Sequence, residues 1–262
     1  MARTEEIYAA LAQLAPVELA ESWDNVGLLV NGGREVSRVL VTLDITRAVV
    51  EEAAAAGCEL IVSHHPVIFG GLKRLDERDM AWHLVRHGIS AVCMHTNLDA
   101  ADGGVNDVLA GLFALQAPQP FAGGCGRVGS ITPVSARALA RQARQTLRTA
   151  VRLADAGRPV RRLAIISGAG GSMFEEAAAL GADCLLTGEA NHHQALDAVR
   201  LGMSVIAAGH FATEWPVVPV LAEKLRAAFP GVQVRTSTAA QDPFDYLGTP
   251  LPGGGEEIPV VF

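Results

Sequence analysis

Three short tracts carry ligand-type side chains at spacings that suit a metal ion: Ser63-His64-His65-Pro66, His95-Thr96-Asn97-Leu98-Asp99 and His210-Phe211-Ala212-Thr213-Glu214. His64 and His65 follow the apolar run Leu60-Ile61-Val62, which reads as a buried strand, and Pro66 forbids the ladder from continuing. In a regular strand adjacent side chains face opposite sides, but at an end broken by proline both imidazoles can turn into one cavity. Alone, the pair reads equally well as capping or core histidines. Each of the other tracts is His-x-x-x-carboxylate; if it leaves its strand as a helical turn, residues four apart share one face. A single such tract is more often structural, but two of them beside His64-His65 make metal binding the favoured reading.

The candidate ligands are therefore His64, His65, His95, Asp99, His210 and Glu214. They include no thiolate and are too many for one closed tetrahedral structural site, so two ions fit better. Mixed imidazole and carboxylate donors suit Zn, Fe, Mn, Co or Ni, and affinity order does not choose among them. Paired ions activate water at neutral pH and stabilise an oxyanion, which makes hydrolysis the default chemistry. Glu189, His192 and His193 follow a further strand and can supply a catalytic acid or base; a supporting role or plain exposure on the next helix suits them equally. His83 and His87, four apart on an amphipathic stretch, read as structural or exposed. Asp24 and Asn25 either line the cavity or order their turn.

The elements that must position these groups follow from the pattern. A first helix capped by Thr4 is expected to run to about Leu14, with further helices over 46–56 and 77–87; the turn from Ser22 enters a strand that ends at Asn31-Gly32-Gly33, and strands follow over Arg38–Leu43, 60–63 and 89–94, the last delivering His95. Alternating strands and helices imply a parallel sheet with right-handed crossovers. The chain also repeats itself. Glu51-Glu52-Ala53 through Ser63 aligns with Glu175-Glu176-Ala177 through Thr187, and Val85-Arg86-His87-Gly88-Ile89-Ser90 with Val199-Arg200-Leu201-Gly202-Met203-Ser204. The fold class expected is α/β, with two similar βαβ-type lobes from an internal duplication and a metal site between them at the strand C-terminal ends. Pro118–Gly126 reads as a loop, which gives lobes 1–125 and 126–262, with a C-terminal strand returning to the first.

In the second half, a helix capped by Ser135 is expected to run to about Leu153, and a strand over Arg162–Ser167. Gly168-Ala169-Gly170-Gly171-Ser172 opens the next helix; its amides can cradle phosphate, but it is neither a Walker loop nor GxGxxG, and a plain turn is the simpler reading. After Trp215-Pro216 come a helix to about Phe229, a strand over Val232–Thr236, and a glycine- and proline-rich tail ending in Ile258–Phe262.

Composition narrows the partners. Lys+Arg number 21 against 28 Asp+Glu, a formal net charge of −7, so no global basic field attracts nucleic acid or anionic membrane. No apolar run reaches the roughly 20 residues of a membrane span. Met1–Leu14 lacks the basic end and apolar core of a signal peptide. Cys58, Cys93, Cys125 and Cys184 stand singly, as free thiols of a reducing compartment would. The expectation is a cytoplasmic protein.

Taken together, Trp23-Asp24-Asn25-Val26-Gly27-Leu28, Ser63-His64-His65-Pro66, His95 through Asp99 with Gly103-Gly104-Val105-Asn106-Asp107, Thr187-Gly188-Glu189 with His192-His193, and Gly209-His210 through Glu214 resemble the Nif3-like family, the GTP cyclohydrolase 1 type 2 homologues. The resemblance runs nearly end to end. It implies a dinuclear metal centre at the positions matching His64, His65, His95, Asp99, His210 and Glu214, in two α/β lobes of a ring-shaped homohexamer, in the short form without the inserted domain. The activity it points to is a metal-dependent hydrolase of a small molecule, with a purine nucleotide such as GTP the named candidate. The alternative is a non-catalytic metal-binding regulatory or scaffold ring.

Overall fold

The computed structural model describes residues 1–246; the expected tail ending in Ile258–Phe262 lies outside the described residues. The chain forms two compact units, Met1–Gly104 with Trp215–Gln241, and Val105–Glu214 with the segment from Asp242. The chain therefore changes unit after Gly104 and not at residue 125. The reason is packing: the helix that follows Gly104 buries Leu109 and Ala110 in one cluster with Leu163 and Ile165, far along the second unit.

The first unit opens with β1 (Ala2–Arg3), α1 (Thr4–Leu14), β2 (Gly27–Val30) and β3 (Glu35–Val36), β1 and β3 forming a small antiparallel ribbon. Then β4 (Arg38–Thr42), α2 (Arg47–Ala55), β5 (Leu60–Ser63), α3 (Met80–His87), β6 (Ser90–Cys93) and α4 (Thr96–Ala100) alternate. The Thr46 hydroxyl caps α2 by accepting from the Val49 amide, and Val49, Val50 and Ala53 turn inward. Every residue of β5 and β6 is buried, the pattern of parallel strands covered on both faces.

The second unit contains α5 (Val105–Leu112), β7 (Gln116–Phe121), β8 (Gly126–Ser135), α6 (Ala136–Leu147), β9 (Arg152–Ala154), β10 (Pro159–Ile166), α7 (Phe174–Ala179), β11 (Cys184–Thr187), α8 (His192–Arg200), β12 (Ser204–Ala207) and α9 (His210–Glu214). Its six-stranded sheet runs β7-β8-β10-β11-β12-β9, with β10, β11 and β12 parallel. Side chains alternate between two cores: Leu163, Ile165 and Leu186 pack with Leu139 and Ala143, while Ala164, Ile166 and Leu185 pack with Phe174 and Ala198. The chain then returns to the first unit with α10 (Val217–Ala228) and β13 (Gln233–Thr236), completing a five-stranded sheet of order β13-β4-β5-β6-β2 in which only β2 is antiparallel to its neighbour.

Two segments depart from the sequence expectation. Pro118–Gly126 contains the end of β7 and the start of β8; Pro118 and Pro120 are accommodated because β7 is an edge strand, where a missing donor costs little. The helix after Ser135 stops at Leu147, where Arg148 turns left-handed at φ 51°, and the residues expected to prolong it form β9, antiparallel to β12. Among the described residues no helix is long and apolar enough to cross a membrane.

Two neighbouring parallel strands of each unit are tied together at similar places, β4 to β5 and β10 to β11. Glu59 Oε2 accepts from the Ser37 and Arg38 amides at 2.9 and 2.8 Å, and Asp183 Oδ2 from the Arg161 and Arg162 amides at 2.8 and 2.9 Å. Each carboxylate ties the entry of its own strand to the neighbouring one, Glu59 at the start of β4 and Asp183 partway along β10. Glu59 and Asp183 are matched positions in the sequence repeat.

Candidate metal centre

In the first unit, His64 and His65 leave the C-terminal end of β5 and His95 leaves the end of β6, the neighbouring parallel strand. Strand pairing thus brings together residues thirty apart in sequence. The ring centroids lie 5.0 Å apart for His64–His65, 5.2 Å for His64–His95 and 5.4 Å for His65–His95. One ligand atom from each of the three comes within 4.8 Å of the others, so this cluster can hold a metal ion.

The ring orientations fit that role. His64 Nδ1 contacts the Met94 carbonyl, His65 Nδ1 the Asp44 carboxylate and His95 Nδ1 the Asp24 carboxylate, each at 2.8 Å. An acceptor on Nδ1 fixes the tautomer with Nε2 bearing the lone pair, the arrangement metal-ligating histidines use. Asp99, on α4, places Oδ1 3.7 Å from His64 Nε2. His64 is 1% exposed, so its fixed nitrogen is held in a low-dielectric setting.

Asp24 explains the turn before β2. Burial alone raises its carboxyl, but hydrogen bonds from His95, the Thr96 hydroxyl and the Thr96 amide outweigh burial and hold it below the ordinary value. The anion fixes both the His95 ring and the start of α4. Asn25 reaches across to donate to the Ile68 carbonyl at 2.5 Å. Asp44 is the residue that sequence reasoning misses: it follows β4, and only the pairing of β4 with β5 shows that it stands behind His65. Cys93 donates to the His64 carbonyl at 3.0 Å, and burial pushes its thiol well above the ordinary value, which suits packing rather than reactivity.

In the second unit α9 carries His210 and Glu214 on one face, with His210 Nε2 3.2 Å from Glu214 Oε1, while His210 Nδ1 meets Glu189 Oε1 at 3.0 Å. Glycines make room for this pair. Gly168 has φ +58°, and a Cβ there would lie 2.3 Å from Glu214 Oε1; a Cβ on Gly188 would lie 2.6 Å from the Gly168 carbonyl and 2.9 Å from His210 Cα. The Gly168–Ser172 stretch thus permits close packing around the pair, and Asn106 Oδ1 accepts from the Ser167 amide just before it. His192 and His193 begin α8, capped by Asn191, with both rings exposed and 5.4 Å apart. His83 meets Arg47 and the Glu77 carbonyl, and both His83 and His87 lie on α3, away from either set.

Fold and site define a mixed α/β protein with a histidine cluster at the ends of parallel strands, suited to a metal ion. The chain belongs to the Duf34/NIF3 (NGG1p interacting factor 3) family, whose model matches residues 2–243. It is similar to a GTP cyclohydrolase 1 type 2 homolog of Streptomyces coelicolor, 37% identical over 82% of this chain and 83% of the relative. A protein of the same description from Clostridium perfringens is 31% identical over 94% of this chain and all of its own length. Among solved structures, a Staphylococcus aureus hypothetical protein aligns at TM-score 0.87 and 29% identity, covering 94% of this chain and 99% of that one.

Proposed function

We propose that this chain is a metal-dependent hydrolase of a small nucleotide-like molecule, built on a dinuclear centre. The observation that carries the reading is the His64, His65 and His95 cluster, each ring held through Nδ1 by its own acceptor. Asp99, His210 and Glu214 complete the ligand set for two divalent ions, Zn, Fe, Mn, Co or Ni. The like strand order of β4-β5-β6 and β10-β11-β12 and the paired Glu59 and Asp183 clamps support an internal duplication that sets the two ligand groups at matching strand ends.

Bound divalent ions at such a set supply Lewis acidity and make water acidic enough to react near neutral pH. The chain's own part is to fix the donors: Asp24 and Asp44 hold the His95 and His65 rings, and Glu189 holds His210. Proton delivery to a departing purine nitrogen falls to Glu189, His192 and His193, all three exposed and able to exchange protons with solvent. The shared description of its relatives supports a purine nucleotide as substrate, GTP first, with water attacking C8 of the ring. The same family membership supports assembly as a homohexamer, the free thiols of Cys58, Cys93 and Cys184 a cytoplasmic setting, and the acidic composition a lack of nucleic-acid and membrane partners.

Incubating the purified full chain, loaded in turn with each metal, with GTP tests the reading. Release of formate supports it, and the variants Glu189→Gln and His192→Ala with His193→Ala should then lose turnover while retaining metal. Neither formate nor dihydroneopterin triphosphate under any metal removes the cyclohydrolase version. Tight metal with no turnover across hydrolysable metabolites favours the metal-binding scaffold.

A further inference from the structure

Trp23 and Phe69 are each 57% exposed, although burying such rings is among the larger gains open to a fold. They are not stray surface residues. Their centroids lie 5.8 Å apart at an interplanar angle of 31°, and both meet the His95 ring edge-on, Trp23 at 6.1 Å and Phe69 at 6.5 Å. Two neighbouring residues hold the arrangement in place: Asp24 binds His95 and Thr96, and Asn25 binds the Ile68 carbonyl, tying the Trp23 turn to the Phe69 loop. Polar bonds thus cross-link two loops so that both present an aromatic face to solvent next to a candidate metal ligand.

We propose that Trp23 and Phe69 form a stacking platform for the planar heterocycle of the substrate beside the histidine cluster. This rests on the hydrolase reading above and names the substrate class it takes, an aromatic nitrogen heterocycle. A ring inserted between two others needs about 7 Å between them, twice the usual stacking distance, so at 5.8 Å the pair is closed to insertion. The heterocycle instead lies on the exposed face of the pair. Direct contact of both rings with His95 favours a small ligand over a second copy of the chain, whose stable interface needs far more area than two rings provide.

The test measures binding of guanosine, GTP and ribose 5-phosphate to the full chain, with and without zinc, for wild type, Trp23→Phe, Trp23→Ala and Phe69→Ala. Metal content and oligomeric state are followed in parallel. The platform predicts saturable binding of guanosine and GTP but not of ribose 5-phosphate, weakened about 10- to 100-fold in Trp23→Ala. Trp23→Phe should bind within about threefold of wild type, since phenylalanine also stacks, and metal content should be unchanged. No guanosine binding by the wild type, binding by both alanine variants undiminished from wild type, or a changed oligomer with binding intact would each overturn the proposal. Trp23-dependent binding without turnover of GTP under any metal leaves the platform standing and removes the cyclohydrolase version of the hydrolase reading, whereas turnover indifferent to both alanine variants does the reverse.

Discussion

Three neighbouring parallel strands run in like order in each unit, β4-β5-β6 and β10-β11-β12, and carry different residues at their ends. In the first, the residues just past β5 are His64 and His65; past β11, the matched positions are Gly188 and Glu189. Where one unit projects a buried imidazole, the other has no side chain, and the space is used to seat Gly168 and His210 against the backbone. Where one has a ligand-type histidine, the other has a carboxylate that orients a histidine beyond the end of the neighbouring strand β12. The helical tracts are also offset: His95 precedes α4, whereas His210 is the first residue of α9. Parallel strands in like order thus end in a nitrogen-rich group in one unit and in a carboxylate-balanced group in the other.

Removing a nitrogen donor should expose that difference most strongly. His95→Ala in the first unit should lower metal affinity at least about 100-fold, more than loss of an orienting partner costs, as measured by equilibrium dialysis. Equal loss in His83→Ala would show that the affinity does not come from the cluster. The orienting carboxylates come next. Asp24→Asn and Asp44→Asn should each cost about 10- to 100-fold in affinity, because an amide can point either its donor or its acceptor at Nδ1. Glu189→Gln should cost less, since its side chain is 53% exposed and water can take its place behind His210.

The strand clamps should show the smallest effect and the closest likeness between units. Glu59→Gln and Asp183→Asn should each reduce unfolding free energy by about 1 to 3 kcal/mol in chemical denaturation. For Glu59 the pH dependence has a definite sign. Burial raises its carboxyl, but hydrogen bonds from the Arg38 and Ser37 amides and the Ser37 hydroxyl prevail and hold it below the ordinary 4.5. Its contribution is therefore complete above 4.5 and is lost as pH falls through the lower folded value. The gap between wild type and Glu59→Gln should close on acidification; a gap that widens would contradict this.

Much of this was readable from residue order. Short apolar runs ended by His64-His65-Pro66 and by His95 mark the ends of strands buried on both faces, and the sequence repeat aligns the residues of α2 with those of α7. The Asp24 alternatives resolve into ordering of the turn and of His95. What stayed hidden depends on pairing between strands distant in sequence. Asp44 has no local signature, and its role appears only when β4 lies against β5. β7 and β9 were hidden for a related reason: an edge strand tolerates the prolines and charges that otherwise mark loops and helix surfaces, so Pro118, Pro120 and Arg152 pointed away from sheet. The unit boundary was misplaced with them, since α5 looks like the end of one lobe until its packing on Leu163 is seen.

The central claim is that the His64, His65 and His95 group and the His210 and Glu214 group each bind a divalent ion, and metal analysis joined to anomalous diffraction addresses it directly. The account predicts two divalent ions per chain, with anomalous peaks at His64, His65 and His95 and at His210 and Glu214. Metal-free protein after growth and loading with all five metals, or peaks only at other residues, would contradict it.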